Sequence, residues 1–565
     1  MDREQFRKAG YAAVDRICDY FENIESYDVV PKVQPGDIAK LIGDEVPEKG
    51  EPWDDIAKDF DRVILPGITH WQHPNFYAYF PANTTFECIL ADMYVGAVSN
   101  PGFNWLCSPA CTELESKVTD WVAKLLGLDQ SWCNEGMVGA GVIQGSASES
   151  VITVCIAARE RFLRLHPSTP FSDMVILGTT QTHSLGAKAA LILGFEFVAI
   201  ETRAEDEWAL RGEALEKALR ELKEKQKKPF ILSAPTSLSF KLNSFALTSL
   251  VVAVATLGST STGAIDNIAE ITSVTAAHPS LFLHIDAAWG GVFLSLPECR
   301  DESFLDAINA RAVKGAEEGA ICAGGEVHSF CTNLHKSGLV TFDASCLCAP
   351  TPPHLPPSLR TPAKLPSLAH RIRDRTLLTT ALDITPPFLR TAQASAGLVT
   401  DYRNMSLSLG RRFRSLKIWW TLRSYGVEGF RRHLRRLVEL AEVFERTLGE
   451  EVKGVELFTK RRFSLVVFRV LPLPSSSTTS PSSSSDKLEL EQANTLTRTL
   501  TTLAAADHSL MLTPTTVGGT ECVRVAVGSG FTEERHVRGL VGRLQVLIGQ
   551  AREAVEKEGE VNGGK

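Results

Sequence analysis

The chain has 565 residues, of which 44% are hydrophobic and 22% charged, and its formal net charge is -8 at pH 7. That length can bury a sizeable core and predicts two or three domains, and the composition is ordinary for a soluble globular protein. The negative balance argues against nucleic acid as a partner and gives no membrane-binding signal.

The predicted elements fall into three consecutive segments. Residues 1–85 are mainly helical and open with an amphipathic helix that must pack on something. Residues 86–416 alternate short apolar runs with helical patterns, which predicts an α/β domain with a mainly parallel central sheet and helices on both faces. Its buried strands are predicted at 174–177, 195–200, 251–255 and 281–285. Residues 417–565 predict a small α+β C-terminal domain, with a helix, strands at 465–470 and 523–527, and a closing helix.

Three stretches interrupt this plan. Residues 475–485 form a Ser/Thr/Pro tract, which predicts a flexible surface loop. Residues 232–250 are rich in serine, and residues 349–368 carry seven prolines, so neither continues a regular element. Both are predicted insertions, either genuine excursions or retained introns in the gene sequence. The apolar stretch 245–257 is too short and too rich in Ser and Thr to span a bilayer.

Two short motifs of the second segment point to a cofactor. The sequence HIDAA at 284–288 follows an apolar run, which places Asp286 at the end of a buried strand, where open α/β sheets bind ligands. The sequence NLHK at 333–336 follows about fifty residues later. A pyridine cofactor that acts as an electron sink needs a carboxylate at its ring nitrogen, and an imine-forming lysine needs a desolvated site. Lys336 alone would be read as a solvated surface lysine, but the two motifs together predict pyridoxal phosphate (PLP).

With these motifs, the chain resembles the PLP-dependent group II amino-acid decarboxylases, of the aromatic-L-amino-acid decarboxylase and aromatic aldehyde synthase type. The resemblance rests on long motifs: HPNFYAYFPA at 73–82, PGFNWLCSPACTELE at 101–115, GVIQGSASES at 141–150, HIDAAWGG at 284–291, and DYRN followed by LGRRFRSLK within 401–417. It implies the PLP-dependent transferase fold type I, which is aspartate aminotransferase-like, and a homodimer with composite active sites. Residues 1–85 would then be a dimerisation segment, 86–416 the large PLP-binding domain and 417–565 the small domain.

The resemblance also implies which residues hold the cofactor. Lys336 would form the imine with PLP, Asp286 would pair with the ring nitrogen, and His183 would stack on the ring. The full set of matching positions is Lys336, Asp286, His183, Ser146, Ala147, Ser148, Thr260, Ala288, Asn333 and His335. Ser146, Ala147 and Ser148 match the phosphate-binding segment at the start of a helix. Taken alone, that segment also reads as a helix N-cap, and His183 as a structural histidine.

The same resemblance places an aromatic L-amino acid as the substrate. The positions that match the family's side-chain pocket are Trp71, Tyr79, Phe80, Phe103 and Gly410. Phe103 would reach across from the partner subunit, and Gly410 matches a position where plant relatives carry Gly for indolic and Ser for phenolic substrates. Each aromatic residue taken singly also reads as an ordinary core residue.

Phe388 is the departure with the largest chemical consequence, and we count it with Lys336 and His183 among the catalytic positions. It lies where ordinary decarboxylases of the family carry a mobile-loop tyrosine, whose hydroxyl returns a proton to Cα after CO₂ leaves. Proton transfer from a positioned group is worth ~10²–10⁴-fold, and phenylalanine has no proton to give. Plant aromatic aldehyde synthases carry Phe at this site. The resemblance therefore predicts decarboxylation coupled to oxidative deamination, with O₂ as co-substrate and an aryl-acetaldehyde as product.

Other interpretations stay open. The protein could be a conventional decarboxylase that releases the amine and CO₂, if another group or water supplies the proton. It could also be a decayed, non-catalytic PLP-binding homodimer, because Ser337 replaces the Trp that usually follows the lysine, and losing a large buried ring costs ~3–5 kcal/mol. The joint presence of Lys336, Asp286 and His183 argues against decay.

The cysteines give no support to a third class, a thiol- or metal-dependent hydrolase. The twelve cysteines are scattered without CxxC pairs or zinc-type spacing, so no metal site is predicted. The same pattern predicts reduced thiols in a cytoplasmic protein, and the N-terminus has no apolar core of the signal-peptide type.

Overall fold

The structure is a computed structural model of the chain, and it describes residues 1–134, 139–226, 251–278, 280–310, 325–349, 375–473 and 483–563. The predicted insertion at 232–250 lies outside the described residues, and so does the insertion at 349–368 apart from Ala349. The chain divides into two compact units. One unit combines Met1–Asn83 with Arg436–Lys565, and the other is Thr84–Arg435.

The central sheet lies in the unit Thr84–Arg435. Within the described residues its strands are β1 (Ala140–Gln144), β2 (Val175–Thr179), β3 (Glu196–Ile200), β4 (Val251–Thr256), β5 (Phe282–Asp286), β6 (Ser329–Asn333) and β7 (Ser345–Ala349). Their order across the sheet is β1-β7-β6-β5-β4-β2-β3. The neighbours β3, β2, β4, β5 and β6 pair in parallel, and β7 runs antiparallel to both β6 and β1. The predicted mainly parallel sheet and its four predicted strands are therefore confirmed.

Every residue of β1, β2, β5, β6 and β7 is buried. Since alternate residues of a strand face opposite sides, continuous burial means that both faces of the sheet are covered. The helices of this unit are α4 (Phe86–Val98), α5 (Pro109–Leu126), α6 (Ala147–Leu165), α7 (Leu185–Leu193), α8 (Gly212–Gln226), α9 (Ile268–Ala276), α10 (Leu305–Asn309), α11 (Thr376–Leu382) and α12 (Ala392–Ser395). Helix α6 contributes Val151, Val154 and Phe162 to a buried core that also includes Ile176 of β2 and Phe282 of β5.

The unit that contains both chain ends is an α+β structure. Its sheet is antiparallel, in the order β10-β11-β9-β8, and is formed by β8 (Val455–Leu457), β9 (Leu465–Val470), β10 (Thr513–Val517) and β11 (Thr520–Ala526). Its helices are α1 (Arg3–Glu22), α2 (Asp37–Ile42), α3 (Trp53–Asp59), α14 (Ser483–Ala506) and α15 (Glu534–Gly563). The predicted strands at 465–470 and 523–527 and the closing helix are confirmed. Residues 475–482 of the predicted loop 475–485 lie outside the described residues, and its last three residues are helical instead, because α14 begins at Ser483.

Helix α13 (Ser415–Glu451) belongs to both units, since the boundary falls at Arg435. It is interrupted at Gly426, whose φ of 61° and ψ of 179° are not helical. Glycine adopts positive φ without the steric penalty that a side chain brings, so the interruption falls at the residue that tolerates it best. Among the residues that the structure describes, no helix is both long and apolar enough to cross a membrane.

Candidate active site

The predicted cofactor residues all lie at or just beyond the carboxyl ends of strands that run in the same direction. Ser146, Ala147 and Ser148 follow β1, His183 follows β2, Thr260 follows β4, Asp286 ends β5 and Ala288 follows it, and Asn333, His335 and Lys336 end or follow β6. Parallel strands present these ends at one edge of the sheet, where α/β folds bind ligands. The sheet therefore collects residues that are up to 190 positions apart in sequence.

Asp286 is the buried carboxylate of this edge. It is 3% exposed, and its Oδ1 accepts a hydrogen bond from the backbone N–H of Ala288 at 3.0 Å. The thiol of Cys331, the residue paired with Asp286 on β6, donates to the same oxygen at 3.9 Å. Both contacts therefore use Oδ1. The parallel pairing of the two strands also continues beyond the end of β5, because Asn333 N–H donates to Ala288 O at 3.0 Å.

Lys336 lies in a tight turn beyond β6. Its backbone N–H donates to Asn333 O at 3.3 Å, and its side chain is half-buried between the buried residues His335 and Ser337. The charges of Lys336 and Asp286 both reach His183, and they act in opposite directions on the pKa of its imidazole. His183 therefore lies within electrostatic reach of both Lys336 and Asp286.

The two histidines of this edge are held as neutral rings. Burial, reinforced by the charge of Lys336, lowers the pKa of His183 below its ordinary value. His183 keeps solvent-exposed surface in the single chain, and its Nδ1 accepts from Leu185 N–H at 3.2 Å. Burial lowers the pKa of His335 to about 4, and its Nδ1 contacts the backbone of Ala344. Both rings are uncharged at neutral pH, which suits packing against a flat aromatic ring.

The turn between β1 and α6 offers backbone donors to an anion. Ser146 caps α6, with its Oγ accepting from Glu149 N–H at 3.3 Å, and the first N–H groups of a helix have no intrahelical acceptor. The carboxylate of Glu149 accepts from Gly145 N–H at 2.8 Å, so one donor of this turn is already used. A guanidinium stands beside the turn, since Arg414 Nη2 would lie 3.7 Å from a Cβ atom on Gly145.

A buried ion pair lies beside the end of β1, just before this turn. Arg411 and Glu115 are each 5% exposed and form two hydrogen bonds of 2.6 and 2.8 Å. Glu115 Oε1 also accepts from Ile143 N–H at 2.8 Å, and Arg411 Nη2 donates to Ile143 O at 2.8 Å. Both residues lie in motifs that carried the family resemblance, but local sequence gave no sign that they contact each other.

The segment that carries Phe388 is anchored at its base and exposed at its tip. Phe388 lies in the short turn Pro387–Leu389 and is 81% exposed. Arg403 is 6% exposed and donates to Ile384 O at 3.1 Å and to Thr385 Oγ1 at 3.0 Å. The DYRN motif therefore anchors the start of this segment, and Phe388 lies in solvent at its tip.

The predicted substrate residues fall into two groups. Trp71 and Tyr79 stack with ring centroids 5.6 Å apart, and the neighbouring Phe80 is buried under the guanidinium of Arg524 at 4.8 Å. Phe103 and Gly410 belong to the other unit, where Arg411 N–H donates to Pro101 O at 2.6 Å and so brings the two segments together. A Cβ atom on Gly410 would meet no other atom within 4 Å.

Comparisons with known proteins decide the family. The model of the pyridoxal-dependent decarboxylase conserved domain matches residues 35–239, 246–361 and 367–471. The chain belongs to the pyridoxal-dependent decarboxylase family. The decarboxylase is 34% identical to phenylacetaldehyde synthase of Arabidopsis thaliana over 541 residues, which cover 95% of this chain and 94% of the relative.

Solved structures agree with this assignment. The structure of Oryza sativa TDC with PLP and tryptamine is 28% identical with a TM-score of 0.81, over 97% of this chain and 99% of that chain. The structure of Catharanthus roseus tryptophan decarboxylase in complex with L-tryptophan is 32% identical with a TM-score of 0.79, over 98% and 99% of the two chains. The predicted family, fold type I architecture and PLP dependence are confirmed, and the decarboxylase is a PLP-dependent carboxy-lyase.

The residues of the site suit PLP. Besides a buried carboxylate, a lysine and a helix N-terminus, this edge of the sheet contains a polar atom without a partner. Asn333 is 4% exposed, and its Oδ1 has no hydrogen-bond partner within the described part of the chain. A buried polar atom without a partner is costly, and an amide oxygen only accepts, so a ligand that brings a hydrogen-bond donor to this edge would satisfy it.

Proposed function

We propose that the protein decarboxylates an aromatic L-amino acid and releases an aryl-acetaldehyde. The observation that carries the product assignment is Phe388, a ring without a hydroxyl at the tip of an anchored, exposed segment. The similarity to phenylacetaldehyde synthase supports it. The balanced reaction consumes the amino acid, O₂ and water, and gives the aldehyde, CO₂, ammonia and hydrogen peroxide.

The proposed roles follow from where each side chain lies. PLP, when bound, supplies an electron sink for the pair of electrons that the departing carboxylate leaves on Cα. Lys336 would bind the cofactor covalently, Asp286 would keep a proton on its ring nitrogen, and the neutral ring of His183 would pack on its face. Ser146, Ala147 and Ser148, at the start of α6, would bind the phosphate, with Asn333 and His335 as further polar contacts. Thr260 and Ala288 would line the ring.

The fate of Cα depends on which group holds a proton near it. A hydroxyl at position 388 would protonate Cα and give the amine, whereas the phenyl ring of Phe388 has no proton to donate. Losing a positioned acid slows protonation by ~10²–10⁴-fold. Over that longer time O₂ becomes the competing electron acceptor, and hydrogen peroxide leaves as its reduced product.

An aromatic substrate is supported by the residues available to contact it. Trp71 and Tyr79 expose 37% and 51% of their surfaces in the single chain, which leaves aromatic surface for a ligand. The similarity to a tryptophan decarboxylase solved with L-tryptophan agrees with that reading. The contribution of Phe103 from a partner subunit stays a prediction.

We further propose that the enzyme is a homodimer that acts in the cytoplasm. Helix α4 is apolar almost all round, yet only Cys88 and Ala91 of it are buried. Its exposed apolar residues are Phe86, Leu90, Met93, Tyr94 and Val98, each at least 46% exposed. A helix of this composition is normally covered, and a second copy of the chain would cover it. The cytoplasmic location rests on the scattered, unpatterned cysteines of the sequence.

A second candidate, the amine-releasing decarboxylase, is favoured by the similarity to the structure solved with PLP and tryptamine. One experiment separates the two. Purified protein with PLP is incubated under air with tyrosine and with tryptophan separately, and CO₂, aldehyde, amine and hydrogen peroxide are measured. Aldehyde and peroxide in step with CO₂ support the proposal. Amine without peroxide contradicts it and establishes the second candidate, and no CO₂ from any aromatic amino acid contradicts both.

A further inference from the structure

A chain of buried polar side chains runs behind Asp286. It lies on one face of β5 and β6, where His284 is paired with Ser329 and Asp286 is paired with Cys331. Ser329 Oγ is 2.7 Å from His284 Nδ1, His284 Nε2 is 3.5 Å from Cys331 Sγ, and Cys331 Sγ is 3.9 Å from Asp286 Oδ1. All four residues are at most 3% exposed.

The protonation states decide which group donates and which accepts in each of these hydrogen bonds. Burial lowers the pKa of His284 to about 4 and raises the pKa of the Cys331 thiol well above its usual range, so both groups are neutral at pH 7. A neutral imidazole has one donor and one acceptor nitrogen, and an ionised carboxylate only accepts. The thiol of Cys331 therefore donates to Asp286, Nε2–H of His284 donates to the sulfur, and Ser329 donates to Nδ1.

We propose that Cys331 and His284 are positioning residues, which hold Oδ1 of Asp286 so that Oδ2 is directed at the ring nitrogen of PLP. The inference rests on the proposed function, in which Asp286 binds that nitrogen. Ala288 N–H and Cys331 S–H occupy Oδ1, which leaves Oδ2 for the cofactor. The register of β5 against β6 places the thiol opposite Asp286.

A neutral hydrogen-bond donor at position 331 acts on Asp286 differently from a positively charged one. A lysine or arginine at position 331 would hold Asp286 equally well but would cancel its charge, and the carboxylate would no longer favour a protonated ring nitrogen. The weakly donating thiol orients the carboxylate and leaves its charge intact. The dry surroundings of Cys331 also keep the sulfur away from oxidants, which matters if hydrogen peroxide is a product.

The test uses the holoenzyme and two readouts other than turnover. The first is the rate at which PLP leaves after dilution, and the second is the pH dependence of the visible absorption band of bound PLP. We expect Cys331→Ala to release PLP about 2- to 10-fold faster, the effect of losing one hydrogen bond, and to shift the pH dependence of the band. Cys331→Ser keeps a donor of similar size and should restore both values.

Two further variants make the outcome decisive. Cys348→Ala changes an equally buried cysteine on the neighbouring strand β7 and should alter neither readout. Asp286→Ala tests the proposed function itself and should release PLP faster than any other variant. If Asp286→Ala has this effect and both Cys331 variants match the unmodified enzyme, the positioning role is overturned while the role of Asp286 stands. If Asp286→Ala changes nothing, the proposed cofactor contact fails, and the inference fails with it.

Discussion

At the scale of single residues, the proposed aldehyde product depends on Phe388, which contributes little to the packing of the fold. Its side chain is 81% exposed, so replacing it should not affect packing. Adding one hydroxyl by Phe388→Tyr supplies a proton donor, and we expect the ratio of amine to aldehyde to rise by ~10²-fold or more. Product analysis by chromatography, together with a peroxide assay, measures the ratio directly.

The matched control for this substitution is Phe171→Tyr. Phe171 also lies in a three-residue turn that follows a proline, and it is 46% exposed. The same hydroxyl added there should leave the product ratio unchanged. If Phe388→Tyr gives no more amine than Phe171→Tyr does, the absent hydroxyl is not what determines the product.

At the scale of elements, the buried Arg411–Glu115 pair joins α5 to Ile143 near the end of β1, just before the predicted phosphate-binding residues 146–148. Arg411→Met would leave the Glu115 carboxylate buried without its partner. Breaking a buried pair in this way costs roughly 3–5 kcal/mol. We therefore expect a large fall in the free energy of unfolding, measured by denaturant titration, together with weaker retention of PLP.

An exposed pair provides the comparison. Arg535 and Glu25 form an equally short bidentate pair, but their side chains are 61% and 47% exposed. Arg535→Met should cost no more than about 1 kcal/mol, because exposed ion pairs gain little over hydrated charges. Equal losses for the two variants would mean that burial is not what makes the Arg411–Glu115 pair important.

At the scale of the whole molecule, the exposed face of α4 predicts the assembly. We expect sedimentation analysis to give twice the 61.7 kDa mass of the chain. Leu90→Glu would bury an unpaired charge in the dimer, at a cost of at least about 3 kcal/mol, or roughly a hundredfold in the dissociation constant. Leu191→Glu, which changes an 82% exposed leucine of α7, should leave the dimer intact. A protein that sediments as a monomer at micromolar concentration would refute the assembly.

Stability should fall as the pH drops from 6.5 to 4.5. Burial lowers the pKa values of His73, His284 and His335 from 6.5 to about 4, so in this window the unfolded chain binds protons that the folded chain does not. The stability that these neutral rings contribute is complete above pH 6.5 and is lost as the pH falls, at up to 1.36 kcal/mol per pH unit for each ring. Asp266 offsets the effect of about one of these histidines. Burial raises its pKa to about 6, so below that pH the folded state holds a proton that the unfolded state has lost.

Denaturant titrations between pH 7.5 and 4.5 measure this loss. Carboxylates with a lowered pKa, such as Glu25, contribute only below about pH 4.5, where their unfolded forms take up protons. His73 lies outside the cofactor site. We expect His73→Gln to reduce the slope of the free energy of unfolding against pH by the equivalent of about one proton. A free energy of unfolding that stays flat or rises on acidification would contradict the assignment of neutral buried histidines.

The sequence alone determined the family, the parallel sheet and the positions at its edge. Apolar runs ending in Asp286 and leading to Lys336 are local patterns, and a strand buried on both faces reads as such a run wherever it lies. The long motifs around Ser146 and Arg403 are likewise continuous in sequence. Such patterns can be recognised without knowing which segments are neighbours in the folded chain.

Only the tertiary structure decided which distant residues meet. Glu115 and Arg411 are 296 positions apart, and Cys331 faces Asp286 only because β5 and β6 pair in one register; a shift by one residue would turn the thiol away. The association of residues 1–83 with 436–565 in one unit is equally invisible to local patterns. Contacts across the fold depend on the relative placement of whole elements, which is set by the packing of the complete chain.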